Sequence, residues 1–431
     1  MRFTGQARFG DADPVPATIE LTEDALQIIA EGSAAIHLPL VDIDDVHDDD
    51  HVLRLADHTG GTYELSMLGR AYGQLVADLR ARRDDALERG LLLRGVGLRD
   101  TFPGKMFVDR ETVPVRLRVF EDLIVVLPER GRMFGVPYSF IDEVGWDEES
   151  YRISVVTDEG RTLVFGHLAL RSEEFRDEVR RLMGELAART AVTLSELLPG
   201  TPPATLSGLA NLMRDGRAVQ RRRLDEIDPS VWPRLEAAAA VTEDRSEAYR
   251  GLAAMTVPGW AAFGVKAVRP EGGEGAEDTS GHEVERERRA DLWYFCPLSS
   301  DGRPINVVAQ EVVSESGNAT YLFRLLPPER FDPLQGDALA DEVGRAVARL
   351  NRALLLLNFK RDPIRLPEEQ LREPAHARYL VALRHLEYLR WARGAFLGRA
   401  IHGSSWEKQV ADVVAAPSER MTPHPATQEG P

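Results

Sequence analysis

Potential metal ligands are most concentrated between Leu38 and His51, where the chain reads LPLVDIDDVHDDDH. Six aspartates and two histidines fall in this stretch, and carboxylate and imidazole groups are common ligands of divalent cations. The stretch nevertheless lacks the sixth-position glycine and the twelfth-position glutamate of an EF-hand loop. Three interpretations remain: a solvated turn between two strands, which we favour, a weak cation site, or a docking surface.

No familiar catalytic motif accompanies this cluster. The chain contains no HExxH, GxSxG, Walker A, dinucleotide-binding or CxxC pattern. Its single cysteine, Cys296, lies between Phe295 and Pro297 in an apolar run, which predicts a buried thiol rather than a nucleophile. We therefore expect a non-catalytic protein without a metal ion or cofactor. The alternative is an enzyme of undescribed type with its site in the C-terminal half.

Length and charge restrict the possible partners. The 431 residues are too many for one ordinary core, so two or three domains are expected. The net charge of −17 opposes sequence-independent binding to nucleic acid or to an anionic membrane. The N-terminus has no signal-peptide core, and no apolar run approaches the roughly 20 residues that span a bilayer. We expect a cytoplasmic protein that binds other proteins or a second copy of itself.

An internal repeat organises the N-terminal half. VPATIELTEDALQII begins at Val15 and VPVRLRVFEDLIVVL at Val113, an offset of 98 residues. At the same offset LPLVDIDDV lies over VPYSFIDEV, which aligns Ile43 with Ile141. Each copy alternates apolar and polar residues between short glycine-containing turns, as half-buried antiparallel strands do, and closes with an amphipathic helix.

The second copy also carries a family resemblance. Its segment VPYSFIDEVGWDEESYRISVVTDEGRTLVF resembles the Pro-Tyr-Ser-x-Ile-x-x-Val strand pair and the Thr-x-(Asp/Glu)-Gly-(Arg/Lys) hairpin of bacterial pleckstrin-homology-like (PH-like) and GRAM-like domains. The resemblance covers residues 1–190 and implies two tandem PH-like bent β-sandwiches, each capped by a C-terminal helix. Such folds mostly bind lipids, peptides or proteins without catalysis. The resemblance therefore implies a protein-interaction or scaffold protein, with a peripheral phospholipid-binding protein as the alternative.

The predicted fold class is α+β, because a mixed α+β domain follows the two sandwiches. The expected organisation is PH-like domains at 1–95 and 100–190, a linker at 191–208, a helical segment at 209–250, an α+β domain at 251–415, a disordered loop near 270–288 and a disordered tail at 416–431. Strands followed by a packed helix leave open whether the C-terminal domain is a third, diverged copy.

Two basic features are candidate binding surfaces. Lys105, Arg116 and Arg118 fit the loose Lys-x(n)-Arg-x-Arg pattern with which some PH domains bind phosphoinositide head groups, although a solvated strand face would look the same. The stretch 375–401 reads as one long helix in which arginines alternate with aromatic residues, a composition typical of protein interfaces. Its candidate interaction residues are Arg384, Tyr388, Arg390, Trp391 and Arg393. We expect this helix to contact protein, within the chain or between chains, and not nucleic acid.

Overall fold

A computed structural model describes most of the chain. The described residues are 1–30, 34–90, 97–109, 111–129, 133–168, 170–240, 243–267, 290–313, 319–373 and 376–415. The segments 270–288 and 416–431, for which the sequence predicts disorder, lie outside them.

The first repeat forms a seven-stranded antiparallel sheet followed by a helix. Its elements are β1 (Arg2–Phe9), β2 (Val15–Leu21), β3 (Ala25–Ala30), β4 (Ile36–Pro39), β5 (Ile43–Asp49), β6 (Val52–Asp57), β7 (Thr62–Ser66) and α1 (Tyr72–Gly90). The strand order is β4-β3-β2-β1-β7-β6-β5. Because β1 pairs with both β2 and β7, it joins the two halves of the sheet. Leu75 and Leu79 of α1 are fully buried against the apolar face of this sheet.

The second repeat has the same arrangement. Its elements are β8 (Leu98–Val108), β9 (Glu111–Phe120), β10 (Leu123–Pro128), β11 (Phe134–Pro137), β12 (Ile141–Asp147), β13 (Arg152–Thr157), β14 (Thr162–Gly166) and α2 (Ser172–Leu197). The order β11-β10-β9-β8-β14-β13-β12 matches the first sheet strand for strand. Ile43 and Ile141 each begin the fifth strand of their sheet, and each is followed by a bulge. The predicted pair of equivalent antiparallel sheets, each followed by a helix, is confirmed. We call the two units PH-like domains after the sequence resemblance. The helix α2 ends at Leu197, within the predicted linker.

The aspartate-rich stretch forms a hairpin, as favoured from the sequence. The strands β5 and β6 pair antiparallel, and Asp50 and His51 form the turn between them with φ values of 45° and 60°. Asp49 pairs with Arg54 across the hairpin at 3.5 Å, and Asp48 accepts a hydrogen bond from the Tyr72 hydroxyl of α1.

A third sheet of six strands follows. It consists of β15 (Val219–Gln220), β16 (Ala262–Ala267), β17 (Ala290–Ser300), β18 (Arg303–Val313), β19 (Ala319–Arg324) and β20 (Phe396–Ile401), in sequence order. In the first two sheets the first strand also pairs with the last. In the third sheet the first and last strands, β15 and β20, are instead the two edges among the described residues. The third sheet is therefore not a third copy of the PH-like unit.

Helices cover both faces of the third sheet. They are α3 (Pro203–Leu212), α4 (Arg221–Asp225), α5 (Val231–Ala239), α6 (Glu243–Ala254), α7 (Pro328–Phe331), α8 (Gly336–Leu356), α9 (Asp362–Arg365), α10 (Glu368–Leu371), α11 (Ala377–His385), α12 (Glu387–Ala395) and α13 (Trp406–Ala415). One face shares a core with β10 of the second PH-like domain, through Leu123, Val125 and Leu127. The described part of the chain has no helix that is both long and apolar enough to cross a membrane.

The single helix predicted over 375–401 is wrong. Leu386 has extended backbone angles (φ −102°, ψ 104°) and separates α11 from α12. The last part is the strand β20, which pairs with β19. Pairing there satisfies the backbone groups along the edge of β19, an interaction that a continued helix could not provide.

Candidate functional site

A cavity lies between the second PH-like domain and the C-terminal helices. Its volume is about 220 Å³. One wall comes from β10, Met133, β11 and the β13–β14 hairpin, and the other comes from α8, α11 and α12. The lining residues are Leu123, Met133, Phe134, Gly135, Val136, Pro137, Thr157, Arg161, Leu163, Arg352, Leu356, His385, Leu386, Glu387, Tyr388 and Arg390.

The strand β11 gives this cavity a sheet edge. It is the terminal strand of its sheet and pairs only with β10 among the described strands, in the register Ile124 with Val136 and Val126 with Phe134. All four residues of β11 line the cavity. A terminal strand presents backbone N–H and C=O groups to whatever occupies the space beside it.

A buried arginine lies at the base of the cavity. Arg352 of α8 is 4% exposed and forms an ion pair with Asp158 of the second domain. Its guanidinium also donates to the Tyr388 hydroxyl. The guanidinium carbon lies 4.5 Å from the ring centre of Phe140 and 4.6 Å from that of Tyr388. Burial raises the pKa of Asp158 to about 6, although Arg352 and Arg217 oppose the shift.

The hairpin that carries the family resemblance therefore joins two domains. Asp158 and Glu159 belong to its TDEGR turn, and Glu159 lies 3.7 Å from Arg349 and 3.6 Å from Arg352. In the first repeat the carboxylate of the corresponding turn forms its hydrogen bonds within its own hairpin. Asp57 accepts from the Tyr63 hydroxyl at 2.7 Å and from backbone N–H groups of its own loop. The same turn thus has different contacts in the two copies.

All five predicted interaction residues make contacts within the chain. Arg384 forms an ion pair with Asp42 of the aspartate-rich stretch, and Arg393 donates to the Pro363 carbonyl at 2.7 Å. Arg390 donates to carbonyl oxygens at the end of α11, and the guanidinium carbon of Arg349 lies 5.7 Å from the Trp391 ring centre. Tyr388 and Arg390 are the two of the five that line the cavity.

The structure separates the three predicted lipid-binding residues. Arg116 pairs with Asp84 of α1, and Arg118 lies 3.2 Å from Asp85 and 2.8 Å from Glu88. These arginines therefore connect the two PH-like domains. The helix α1 covers the strand face that carries them, whereas the sequence was also consistent with a face exposed to solvent. Lys105 is exposed on β8 and takes no part in these ion pairs. Burial raises the pKa of Glu88 to about 7, against the opposing charge of Arg118.

Sequence reasoning missed Arg352 and Asp158, whereas His385 is the satisfied core histidine that its sequence context favours. Arg352 interrupts the apolar run of α8, in NRALLLL, and an arginine inside a buried stripe predicts a buried acidic partner. The sequence does not indicate which acidic residue is that partner, because Asp158 is 194 residues away. His385 is 6% exposed and donates from Nε2 to the Val41 carbonyl oxygen at 3.1 Å.

The C-terminal half contains a separate buried polar cluster around Glu311. This carboxylate accepts hydrogen bonds from the Tyr294 hydroxyl at 2.5 Å, from Thr320 and from His402 at 3.1 Å. Trp406 of α13 donates to the Thr320 hydroxyl at 2.8 Å. The cluster ties α13 to three strands. Cys296 is fully buried, as expected, and burial raises its thiol pKa to about 12.

Comparisons with known proteins add little to this description. No protein-family model and no curated protein matches the chain. Among solved structures it is similar to the C-terminal domain of an unknown protein from Leishmania infantum, at 14% identity over 23% of this chain and 97% of the other, with a TM-score of 0.21. It is also similar to the Spt16D–Pob3N heterodimer, at 14% identity over 37% and 84% of the two chains, with a TM-score of 0.17. At these values neither similarity carries an argument about function.

Proposed function

We propose that this chain is a non-catalytic protein-interaction protein whose cavity beside β11 binds an extended peptide segment of a partner. The observation that carries the proposal is the position of β11, because a terminal sheet strand forms one wall of the cavity. An extended peptide can add to such an edge through its main chain, and pockets for its side chains then provide specificity.

The lining indicates which peptide would fit. Met133, Val136 and Leu386 supply apolar surface, whereas Arg161 and Arg390 supply positive charge. The lining has one acidic residue, Glu387. Successive side chains of an extended peptide point in opposite directions. A segment that alternates apolar and acidic residues would therefore place its apolar side chains in the cavity and its carboxylates near the arginines.

A fluorescent peptide of alternating valine and glutamate, VEVEVE, is a suitable probe of the full-length chain. We expect saturable binding by fluorescence anisotropy. Arg161→Glu should weaken it about tenfold, equal to about 1.4 kcal/mol, because Arg161 is exposed and its replacement leaves the fold intact. Arg372→Glu, at an exposed arginine outside the cavity, is the matched control. Equal binding of VEVEVE and VKVKVK, or an unchanged affinity in Arg161→Glu, would count against the proposal.

Phospholipid binding is the second candidate, and it has less support. Arg116 and Arg118 would first have to leave Asp84 and Glu88 of α1. If lipid binds through them, sedimentation with phosphoinositide-containing vesicles should increase in the Asp84→Asn/Glu88→Gln variant and disappear in Arg116→Glu/Arg118→Glu. Equal sedimentation of wild type and both variants would exclude these residues as the lipid site.

A further inference from the structure

Arg361 occupies an unusual place beside the third sheet. It immediately precedes α9 and is half-buried. Its guanidinium donates to the Phe359 carbonyl oxygen and, at 2.6 Å, to Oε1 of Gln310 on β18. The guanidinium carbon lies 4.7 Å from the ring centre of Tyr321 and 5.4 Å from that of Phe359. Two aromatic rings and a side-chain amide therefore surround this cation.

Arg361 lacks a counter-ion within the described part of the chain. Among the residues that the structure describes, no carboxylate forms an ion pair with it. Its neighbour Asp362 pairs instead with Arg365 at 2.9 Å. Burial lowers the pKa of Arg361 to about 10, which still leaves the group charged at neutral pH. A desolvated charge without an opposite charge is destabilising, and the buried arginines of proteins are normally paired.

Two hydrogen-bond donor atoms at this place are buried and lack acceptors among the described residues, although Arg361 as a whole is half-buried. One is Nε of Arg361 and the other is Nε2 of Gln310. Gln310 is 0% exposed. Its amide orientation follows from chemistry, because the arginine can only donate and so must face Oε1. Nε2 is bonded to the same carbon as Oε1, so it lies close to the guanidinium of Arg361. The other unsatisfied donor, Nε, belongs to that guanidinium. A buried donor without an acceptor destabilises the folded chain.

We propose that Arg361 and Gln310 form a binding site for a small oxyanion, a carboxylate or a phosphate. Such a ligand supplies the missing negative charge, and its oxygens accept from Nε of Arg361 and from Nε2 of Gln310. The aromatic rings of Tyr321 and Phe359 hold the guanidinium in place. The site lies outside the residues that line the peptide cavity, so it is independent of the proposed peptide binding.

The test uses the full-length chain in Tris chloride buffer, titrated with inorganic phosphate in one arm and sodium acetate in the other. Sodium chloride at matched ionic strength is the reference. We expect a saturable increase in Tm in at least one arm, and the arm with the lower half-saturation identifies the oxyanion. A chain whose Tm responds to neither anion beyond the chloride reference would overturn the proposal.

Two variants locate the effect. Gln310→Glu places a carboxylate against Arg361, so it should raise Tm in anion-poor buffer and abolish the response to added anion. Arg361→Met removes the charge and should also abolish the response, while its own Tm stays near or above that of the wild type. Arg372→Met, at an exposed arginine, should keep the full response. An undiminished response in both Gln310→Glu and Arg361→Met would place the anion elsewhere and refute the site.

Discussion

At the scale of single residues, the ion pair of Arg352 and Asp158 is the most deeply buried of the described ion pairs between the second domain and the C-terminal helices. The two side chains are 4% and 2% exposed. Asp158→Asn removes the nearer carboxylate from the buried guanidinium and leaves it only Glu159 at 3.6 Å, which should lower the free energy of unfolding by about 3 kcal/mol. Urea denaturation measures this change. The exposed pair Arg372 and Glu368 is the control, where Glu368→Gln should cost about 0–1 kcal/mol. Equal costs at the two sites would contradict the interpretation.

Glu88 predicts a pH dependence at the contact between the two PH-like domains. Its pKa is raised to about 7 in the folded chain, against about 4.3 when unfolded. Between these two pH values Glu88 binds its proton more tightly in the folded chain than in the unfolded chain. The stability that protonation of Glu88 contributes is therefore complete below about pH 4.3 and is lost as the pH rises through 7.

Glu88→Gln resembles the protonated side chain. The variant should nearly match the wild type in unfolding free energy at pH 4, below the unfolded pKa of Glu88, and exceed it at pH 8. Urea denaturation of both proteins at the two pH values tests this, and comparing them removes the contribution of Asp158. A difference that does not change with pH would contradict the assignment.

At the scale of elements, the β5–β6 hairpin is expected to bind no divalent ion tightly. Several carboxylates of this stretch already have partners. Asp48 accepts a hydrogen bond from Tyr72, Asp49 forms an ion pair with Arg54, and Asp42, just before β5, forms an ion pair with Arg384. Calorimetry of the chain with calcium, magnesium and zinc should reveal no affinity tighter than about millimolar. Micromolar binding that disappears in His47→Ala/His51→Ala would show that the cation-site interpretation was correct.

The pair α11 and α12 should depend on its aromatic residue more than on its charges. Trp391 is half-buried against the core shared with β10, beneath Arg349. Trp391→Ala should therefore lower the free energy of unfolding by about 1.5–3 kcal/mol, and Arg390→Ala by about 1 kcal/mol, because Arg390 contributes hydrogen bonds to backbone carbonyls. Urea denaturation ranks the two variants. A larger loss in Arg390→Ala would reverse the argument.

At the scale of the whole molecule, opposite charges face each other inside one chain. Residues 1–90 hold 18 acidic and 8 basic side chains, whereas residues 359–402 hold 5 acidic and 9 basic ones. The ion pair of Arg384 and Asp42 and the hydrogen bond from His385 to Val41 lie where these regions meet. Arg384 is thus used within the chain, where it neutralises part of the acidic first domain.

A consequence is that the full chain should not bind nucleic acid, given its net charge of −17. Mobility-shift assays with single-stranded DNA and RNA at low salt should detect no submicromolar complex. A tight complex with a steep salt dependence would mean that the arginines of 375–401 are available to phosphates, contrary to the contacts described above.

The two PH-like units could be read from the sequence because the information is local. Alternation of apolar residues, glycine-containing turns and a constant offset specify strands and their order without reference to distant residues. This is why Ile43 and Ile141 were placed correctly at equivalent strand starts. The break at Leu386 was missed because the apolar spacing continues through it, and the strand β20 at 396–401 was missed because only its pairing with β19 distinguishes it from helix.

By itself, then, the sequence determined the duplicated sheets, their closing helices and the buried stripe of α8. Tertiary structure alone decided what the charged residues do. Arg352 and Asp158 are 194 residues apart, and Arg116 and Arg118 pair with a helix of the preceding domain. A strand face exposed to solvent and a strand face covered by another domain show the same alternation of polar and apolar residues. The alternation shows which side of a strand is polar, but not whether solvent or another domain contacts that side. Assignment of these arginines to a lipid, a partner or their own chain required the arrangement of the domains.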